Sequence, residues 1–390
     1  MTIWRVVVFA VFALLLFAVP AAGQDATAPA PPTPAATPLW HYGAFADVAY
    51  LWDSNHPAND VYRFRSTTAF VDDPVLDMAA GWIHKDATEQ SRWGMDFYLQ
   101  GGKDSEGFGL SPVAPNLRGY RWLRHLGPAN VSYVAPIGKG LTVQAGIFSS
   151  LIGYDSLYAK DNLTYIRPWG GDYTPYLMMG VNVSYPFTPK LTATAYVVNA
   201  YDHLSNPNSV PSGGGQVAYK YSDQLNLKET VFYGPQQADT ALRFCRFFSD
   251  TIAERKTGHW TLVFEGQYGE EKVAEPGTPR GTWAGAAVTV RWTPYKNWSL
   301  TASPEAWWDS RGRWTGTPQT LKAFTGSFEY RIAAAPAGAM VRLEYHRDTS
   351  HGDGAGFFYD GYQFPGQPFL RPSHNVLLAA VIFTLEGSHR

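Results

Sequence analysis

The feature that most constrains this chain is a hairpin pattern in residues 131–149, VSYVAPIGKGLTVQAGIFS. After the turn PIGKG, every second residue of LTVQAGI is apolar, which is the period of a strand with one apolar and one polar face. Residues 150–174 then form a long segment rich in Tyr, Asp, Gly and Pro. A short turn at one end of a strand and a long loop at the other is typical of transmembrane β-barrels.

The same alternation recurs along the chain and gives sixteen strand candidates. They are residues 41–51, 75–84, 92–101, 131–135, 141–149, 175–185, 191–200, 214–221, 225–233, 241–253, 260–268, 282–292, 298–309, 321–331, 340–348 and 374–384. Connections after even-numbered candidates are short, and most of the others are longer, as in a barrel with both chain ends on one side. A closed barrel also leaves no exposed sheet edge. The sequence therefore predicts an all-β fold, an antiparallel up-and-down transmembrane β-barrel.

Residues ahead of the barrel resemble export signals. Arg5 precedes an apolar stretch, residues 6–19, and Ala21, Ala22 and Gly23 follow it, as in a cleaved signal peptide. The stretch is shorter than the ~20 residues that a membrane-spanning helix needs. The next residues are rich in Pro and Ala, like an extended disordered linker. The predicted domains are a signal peptide (1–23), a linker (24–38) and an outer-membrane barrel (39–390).

Composition agrees with a membrane barrel and excludes other classes. Charged residues make up 16 % of the chain and aromatic residues 15 %, whereas soluble proteins average ~25 % charged residues. The formal net charge of -2 gives no basis for nucleic-acid binding. The single Cys245 has no second cysteine with which to form a disulfide within the chain. We therefore expect outer-membrane lipid around the barrel and aromatic girdles at its two ends.

Several stretches of the sequence resemble a known family. They are VSYVAPIGKGLTVQAGIF, AKDNLTYIRP, VSYPFTPKLTATAYVVNAYD, FFSDTIA, PEAWWDSRG and MVRLEYHRDTS, in that order. Together they are similar to the type-two β-barrel porins, OmpL-like outer-membrane proteins with sixteen-stranded pores, from about His41 to Phe383. Such porins usually end on a Phe, whereas TLEGSHR follows Phe383 here. The resemblance implies a pore and gives no substrate.

Polar side chains on the strand candidates are assigned to the lumen, because a charge near the midplane of the lipid face costs up to ~2–4 kcal/mol. The expected pore-lining residues are Asp77, Asp96, Gln144, Asn182, Arg291, Glu305, Arg342, Glu344, His346 and Asp348. Those expected to face lipid are Trp93, Phe97, Ile147, Val181, Val290 and Leu343. In candidate 75–84, strict alternation places Leu76, Met78, Ala80 and Trp82 opposite Asp77. In candidate 241–253, Phe residues fall on both faces, and a β-bulge would explain them.

Two interpretations of the charged lumenal residues remain open. They form either a pore wall with a transverse field that orders solutes, or ion pairs that stiffen the barrel. Trp283 and Trp307 similarly belong either to an aromatic girdle or to an inward track that stacks on sugars.

The segment 150–174 is the third of the long loops, where sixteen-stranded porins fold a segment into the lumen. Its expected constriction residues are Tyr154, Asp155, Lys160, Asp161, Arg167, Trp169 and Asp172, with Tyr158 adding a further aromatic ring. They would give the pore a mixed polar and aromatic narrowing. The alternative is an ordinary surface loop.

The predicted function is an outer-membrane porin of a Gram-negative (diderm) bacterium, a water-filled pore for passive diffusion of small polar solutes or ions. The alternatives are an adhesin or structural anchor with a closed lumen and, less well supported, a barrel hydrolase. No nucleophile motif and no metal-ligand spacing stands out in the sequence, so we expect neither catalysis nor a cofactor or metal. Expected partners are outer-membrane lipid and small polar solutes or ions, with a homotrimer as the assembly to test.

Overall fold

The computed structural model describes residues 40–107, 120–237, 244–272, 279–334 and 336–389. The predicted signal peptide and linker lie outside this part of the chain. Within it, sixteen strands close an antiparallel barrel in which each strand pairs with its neighbours along the chain and the last pairs with the first. This confirms the predicted fold class.

The strand bounds follow the predicted hairpins closely. The barrel strands are β1 (Trp40–Asp53), β2 (Pro74–Lys85), β3 (Trp93–Gly101), β4 (Leu126–Ala135), β5 (Leu141–Ser149), β6 (Leu177–Thr188), β7 (Leu191–Val198), β8 (Ser212–Lys220), β9 (Leu225–Pro235), β10 (Cys245–Thr257), β11 (Trp260–Glu271), β12 (Gly281–Tyr295), β13 (Trp298–Asp309), β14 (Gln319–Ala334), β15 (Ala337–His351) and β18 (Ser373–His389). A separate hairpin, β16 (Phe357–Phe364) and β17 (Gln367–Arg371), lies in the last long loop. Phe383 does not end its strand, since β18 continues to His389.

Helical structure is confined to the long loops of the described chain. It consists of two single-turn helices, Tyr120–Leu123 and Trp169–Asp172, and two 3₁₀ turns, Asp104–Gly107 and Ala159–Asp161. None of the helices in the described residues has the length and apolar character to cross a membrane.

The outer face of the barrel is apolar and carries aromatic side chains near both ends. Exposed aromatic residues near the short-turn end are Tyr42, Trp93, Tyr133, Tyr219, Trp260, Trp292 and Tyr330. Those near the long-loop end are Tyr50, Tyr233, Tyr268, Trp308 and Tyr345. Such girdles are typical of barrels whose ends lie at the two membrane interfaces.

Most residues predicted to face lipid are exposed on this outer face, but Ile147 is not. Its register places it outward beside Ala129 and Met179. The side chain is nevertheless only 3 % exposed and belongs to an apolar cluster that includes Leu177 and Leu204. The prediction gave the correct side of the sheet and the wrong environment, because a single strand shows nothing of what packs over it.

Strict alternation fails in β2. The β1–β2 register shifts between Asp47 and Val48, so that Met78 pairs with Asp47 and Leu76 pairs with Val48. Asp77 still faces inward, where it bonds to Tyr165. Ala80 pairs with the buried Phe45 and so also faces inward. The bulge reverses the alternation of inward-facing and outward-facing residues along β2. The prediction that Leu76, Met78, Ala80 and Trp82 share one face was therefore wrong.

The difficult strand β10 has a different explanation from the predicted bulge. Its described residues begin at Cys245 and pair in continuous register with both neighbours, while residues 241–243 lie outside the described chain. Phe247 and Phe248 lie on opposite faces by ordinary alternation, and Phe248 is buried against Tyr201 and Trp283. Apolar residues therefore occur on both faces because the lumen itself contains an aromatic cluster here.

Candidate functional site

The predicted constriction segment lies inside the barrel. We call residues 150–176 loop 3. Tyr165, Ile166, Arg167 and Trp169 in it are at most 1 % exposed, and its polar groups bond to side chains around most of the wall. The surface-loop alternative is therefore wrong, since a loop in solvent would leave these side chains accessible.

Carboxylates of the wall accept hydrogen bonds from the backbone of loop 3. Glu344 on β15 accepts from the N–H groups of Tyr165 (2.6 Å) and Ile166 (2.9 Å). Further pairs are Gly153 N–H to Asp250 (2.9 Å), Tyr154 N–H to Glu265 (3.0 Å) and Trp169 N–H to Glu305. An irregular buried loop has no strand ladder to satisfy its N–H groups. The wall carboxylates supply the missing acceptors.

Arginines of the wall donate to loop carbonyls. Arg342 donates to the carbonyls of Ala159 (2.9 Å) and Asn162 (2.6 Å), and Arg291 donates to the carbonyl of Leu163 (2.8 Å). Both guanidinium groups also donate to Glu329, at 3.0 Å from Arg291 and 2.8 Å from Arg342. This shared carboxylate neutralises the two cations while they hold the loop.

Aromatic contacts attach loop 3 to the β2–β3 wall. The ring of Tyr158 stacks on Tyr98, which stacks on Trp82, with centroid distances of 5.8 and 5.6 Å. The hydroxyl oxygen of Tyr165 lies 2.8 Å from a carboxyl oxygen of Asp77 and 3.0 Å from one of Asp47, and its one hydrogen can be donated to either. Loop 3 is thus held from both sides of the lumen.

The first long loop, residues 54–73, joins the same network through residues that the sequence did not identify as functional. Arg65 donates to Asp172 (3.0 Å) and to the carbonyl of Arg167 (2.6 Å), and it lies 3.6 Å from the ring centroid of Trp169. Tyr62 donates to Asp348. The only signal in the sequence was the basic pair of Arg63 and Arg65 in this loop.

The remaining predicted residues fall into three groups. His346 and Asp348 join the first loop, since His346 lies 3.1 Å from Arg65 and 2.9 Å from Asp348. Gln144 donates to Asn130 (2.8 Å) and accepts from Asn182 (2.9 Å) on the wall of β4–β6. Asp96 bonds to His84 (2.6 Å) near the short-turn end.

Within loop 3, the predicted residues also separate by environment. Arg167 pairs with Asp104 at 3.3 Å, and Tyr154 donates to Glu254 at 2.9 Å. Lys160 and Asp161 pair with each other at 2.8 Å on a more open part of the loop. Asp155 lies close to Gly171. Burial raises the pKa of Asp155 to about 6 against the opposing effect of Arg167, and burial likewise raises the pKa of Asp104 to about 7.

These contacts change the interpretation of the charged wall. Asp77, Arg342, Glu344 and Asp348 lie on the inner side, but each is buried and bonds to an inserted loop. Neither of the two earlier interpretations included this role, in which the charges anchor loops. The sugar-stacking track finds no support, because Trp283 and Trp307 point inward yet are buried beside Trp314 and Tyr173.

Two solvent-accessible spaces flank the loop 3 layer. On the long-loop side lies a cleft of about 420 Å³, lined among others by Arg65, Asp172, Tyr173, Asp202 and Trp314. On the short-turn side, the inward-facing charged residues are hydrated; they include Lys228, Lys256, Arg331, His84 and Glu386. In the described residues, no cluster of His, Cys, Asp or Glu has the arrangement of a metal site.

Solved structures of low sequence identity share this fold. The outer membrane channel DcaP of Acinetobacter baumannii has a TM-score of 0.54 at 11 % identity, covering 89 % of this chain and 96 % of that one. OmpT of Vibrio cholerae has 0.53 at 11 %, covering 88 % and 96 %. An anion-selective porin from Comamonas acidovorans has 0.53 at 11 %, covering 90 % and 99 %. At this identity the similarity shows the fold alone.

Sequence comparison identifies the family. A search of curated proteins finds no match to this chain. Residues 40–385, which include the whole barrel apart from the end of β18, match the family described as putative beta-barrel porin-2, OmpL-like. The chain therefore belongs to this OmpL-like family of outer-membrane β-barrel porins.

Proposed function

We propose that this outer-membrane porin forms a narrow pore, in which loop 3 restricts passive diffusion to ions and small polar solutes. The observation that carries the proposal is the placement of loop 3 across the lumen, held by side chains from β1, β2, β12, β13 and β15. A barrel of this strand number encloses enough space for an aqueous channel. The inserted loop reduces that space to its narrowest section.

The polar lining of the lumen supports a channel over a sealed core. Partly exposed inward residues on β4 to β8 include Ser132, Gln144, Ser184, Thr194 and Gln216. These neutral side chains border the space on the short-turn side of loop 3 and need water to complete their hydrogen bonds. An anchor protein has no requirement for such a lining.

A second function, a closed anchor or adhesin, is favoured by one observation. At the level of loop 3, residues such as Tyr62, Tyr165, Trp169 and Arg342 are buried, so the inserted loops fill much of the cross-section. The proposed pore must therefore be much narrower than the empty barrel.

Single-channel recording in planar bilayers separates these two functions. The wild-type protein, refolded in detergent and checked for its heat-modifiable gel mobility, should give steady unitary conductance steps. Heat-denatured protein in the same detergent is the control. Correctly folded protein that inserts without any steps would favour the closed anchor.

Three further proposals concern processing, assembly and chemistry. Residues 1–23 act as a cleaved signal peptide, which N-terminal sequencing of the mature protein tests. The protein forms a homotrimer; OmpT of Vibrio cholerae occurs in a trimer form, and the mass of the detergent complex tests this. The protein is not an enzyme, in keeping with a family of porins, and the absence of esterase activity in the purified protein would agree.

A further inference from the structure

Acidic side chains dominate the surroundings of loop 3. Among the described residues, nine carboxylates outside the loop bond to it: Asp47, Asp77, Asp104, Asp250, Glu254, Glu265, Glu305, Glu344 and Asp348. Three arginines outside the loop do so: Arg65, Arg291 and Arg342. The layer at which loop 3 crosses the lumen is therefore rich in carboxyl groups.

The arginines are already neutralised by carboxylates other than those on the β10–β13 side. Arg291 and Arg342 share Glu329, and Arg65 pairs with Asp172. On the β10–β13 side, Asp250, Glu265 and Glu305 form no ion pair with a basic side chain in the described chain. Because burial without a cationic partner makes a carboxylate costly, a mobile cation that reaches these groups would stabilise their ionised form.

A small gap lies between loop 3 and two of these carboxyl groups, those of Glu265 and Glu305. It is a cavity of about 10 Å³ lined by Gly170 of the loop and by Glu265, Gln267, Gly285 and Glu305 of the wall. That volume is close to the minimum that holds one water molecule. Glycine at position 170 matters here, since an added Cβ would lie 2.7 Å from Oε1 of Gln267.

An unpaired acceptor faces this gap. Gln267 is 6 % exposed, and its Oε1 has no hydrogen-bond donor in the described structure. Buried acceptors of this kind normally have a partner, and a water molecule or a cation supplies one to several oxygens at once.

We propose that the gap between Gly170 of loop 3 and the β10–β13 wall conducts small monovalent cations, so that the porin prefers cations over anions. The proposal rests on the proposed function and names its solute class. Carboxylate and amide oxygens can replace part of the hydration shell of a cation, and rings of Asp and Glu select cations in other channels. A cation in the gap favours ionisation of the neighbouring carboxyl groups, whereas an anion there would oppose it.

The lysines at the short-turn end do not reverse this preference. Lys256 pairs with Glu254 at 2.9 Å, and Lys220 pairs with Asp223 at 2.8 Å. Both lysines are well hydrated and lie away from the gap, so salt screens their field. The buried carboxylates at the narrowest layer are screened much less.

The reversal potential of the wild-type channel in a potassium chloride gradient tests the proposal. We expect the sign that corresponds to potassium permeation and a permeability ratio several-fold in favour of potassium. A reversal potential near zero, or one directed by chloride, would overturn the inference while leaving the porin function intact. A protein that folds but never conducts would overturn the proposed function and the inference with it.

Paired variants locate the selective charge. Glu265→Gln with Glu305→Gln removes two carboxylates from the gap and should lower the potassium preference several-fold. The matched control is Glu229→Gln, since Glu229 bonds to Ser249 and Thr251 on the outer face and should leave the ratio unchanged. If the double variant does not fold, Gly170→Ala narrows the gap without a charge change and should reduce potassium conductance. An unchanged ratio in the double variant, or unchanged conductance in Gly170→Ala, would place the ion path elsewhere.

Discussion

Loop 3 and the last long loop have similar compositions but lie in different environments. Both are rich in aromatic residues, Gly and Pro. Loop 3 lies inside the barrel with Tyr165 and Trp169 fully buried, whereas Tyr362, Phe364 and Phe369 of the last loop are 44–56 % exposed. Aromatic content therefore does not decide which loop enters the lumen.

Backbone hydrogen bonding does account for the difference. The last loop folds into the β16–β17 hairpin and pairs with itself, so it can remain in water. Loop 3 has only a 3₁₀ turn and a four-residue helix, and wall side chains bond to several of its other backbone N–H and C=O groups. A loop enters the lumen where the wall presents acceptors and donors in matching positions.

The largest effect should come from Arg342→Met. This change removes two bonds to loop 3 carbonyls and one partner of Glu329, and breaking a buried pair of this kind costs about 3–5 kcal/mol. The midpoint of heat-modifiable gel mobility should fall clearly. Arg371→Met is the control, because Arg371 stacks on Tyr359 in the exposed hairpin; equal losses in the two variants would contradict the account.

Glu344→Gln should have the second-largest effect. The amide keeps the size of the side chain but loses one acceptor, so one buried N–H of Tyr165 or Ile166 is left unpaired, at about 1–3 kcal/mol. Limited proteolysis should cut loop 3 faster in this variant than in wild type. Asp360→Asn in the hairpin serves as the control, and equal cleavage rates in Glu344→Gln and wild type would show that the loop does not need this anchor.

A smaller effect should follow from pH. The pKa of Asp155 is raised to about 6 in the folded protein, so the docked loop favours the protonated carboxyl group. The stabilisation from this group is fully present below its unfolded-state pKa of about 4. That contribution is lost as pH rises through 6. Loop 3 should therefore resist proteolysis better at pH 5 than at pH 7, and Asp155→Asn should weaken this dependence. Slower cleavage at pH 7 than at pH 5 would show that the pH dependence of loop 3 docking has the opposite sign.

The smallest effect should come from the last loop. Replacing residues 358–370 by a short Gly/Ser linker removes the exposed aromatic side chains of the hairpin and keeps Phe357, which is buried and stacks on Trp169 of loop 3. Unitary conductance should be unchanged within measurement error. A large change would show that the hairpin also restricts the pore, and the contrast with loop 3 would then be lost.

The barrel was predictable from the sequence because alternation and connection length are local patterns. The hairpin of β4 and β5 and the polar face of β15 follow directly from the order of residues. The β1–β2 bulge at Asp47 was not predictable, since a one-residue shift depends on the paired strand. The predicted lipid exposure of Ile147 was wrong for a related reason, because the residues that pack over a strand come from another part of the chain.

The sequence indicated where the site lies in the barrel but not which contacts its residues make. The sequence predicted that Trp169 lies in a constriction and Glu344 on the inner wall. Trp169 is buried inside the barrel and Glu344 bonds to loop 3, whereas the constriction itself stays a prediction. The sequence did not indicate that Glu344 holds loop backbone, or that Arg65 reaches in from another loop. Contacts between residues more than a hundred positions apart leave no trace in local patterns.

Loop 3, inside the lumen, is expected to set the narrowest point of the pore. The most direct test of this expectation is the unitary conductance of a variant that lacks residues 155–161, compared with wild type in the same bilayer. We expect a several-fold higher conductance and a changed ion preference, because the deletion removes part of the inserted segment and the acidic residues Asp155 and Asp161. An unchanged conductance and ion preference would contradict this expectation and place the limiting section elsewhere in the barrel.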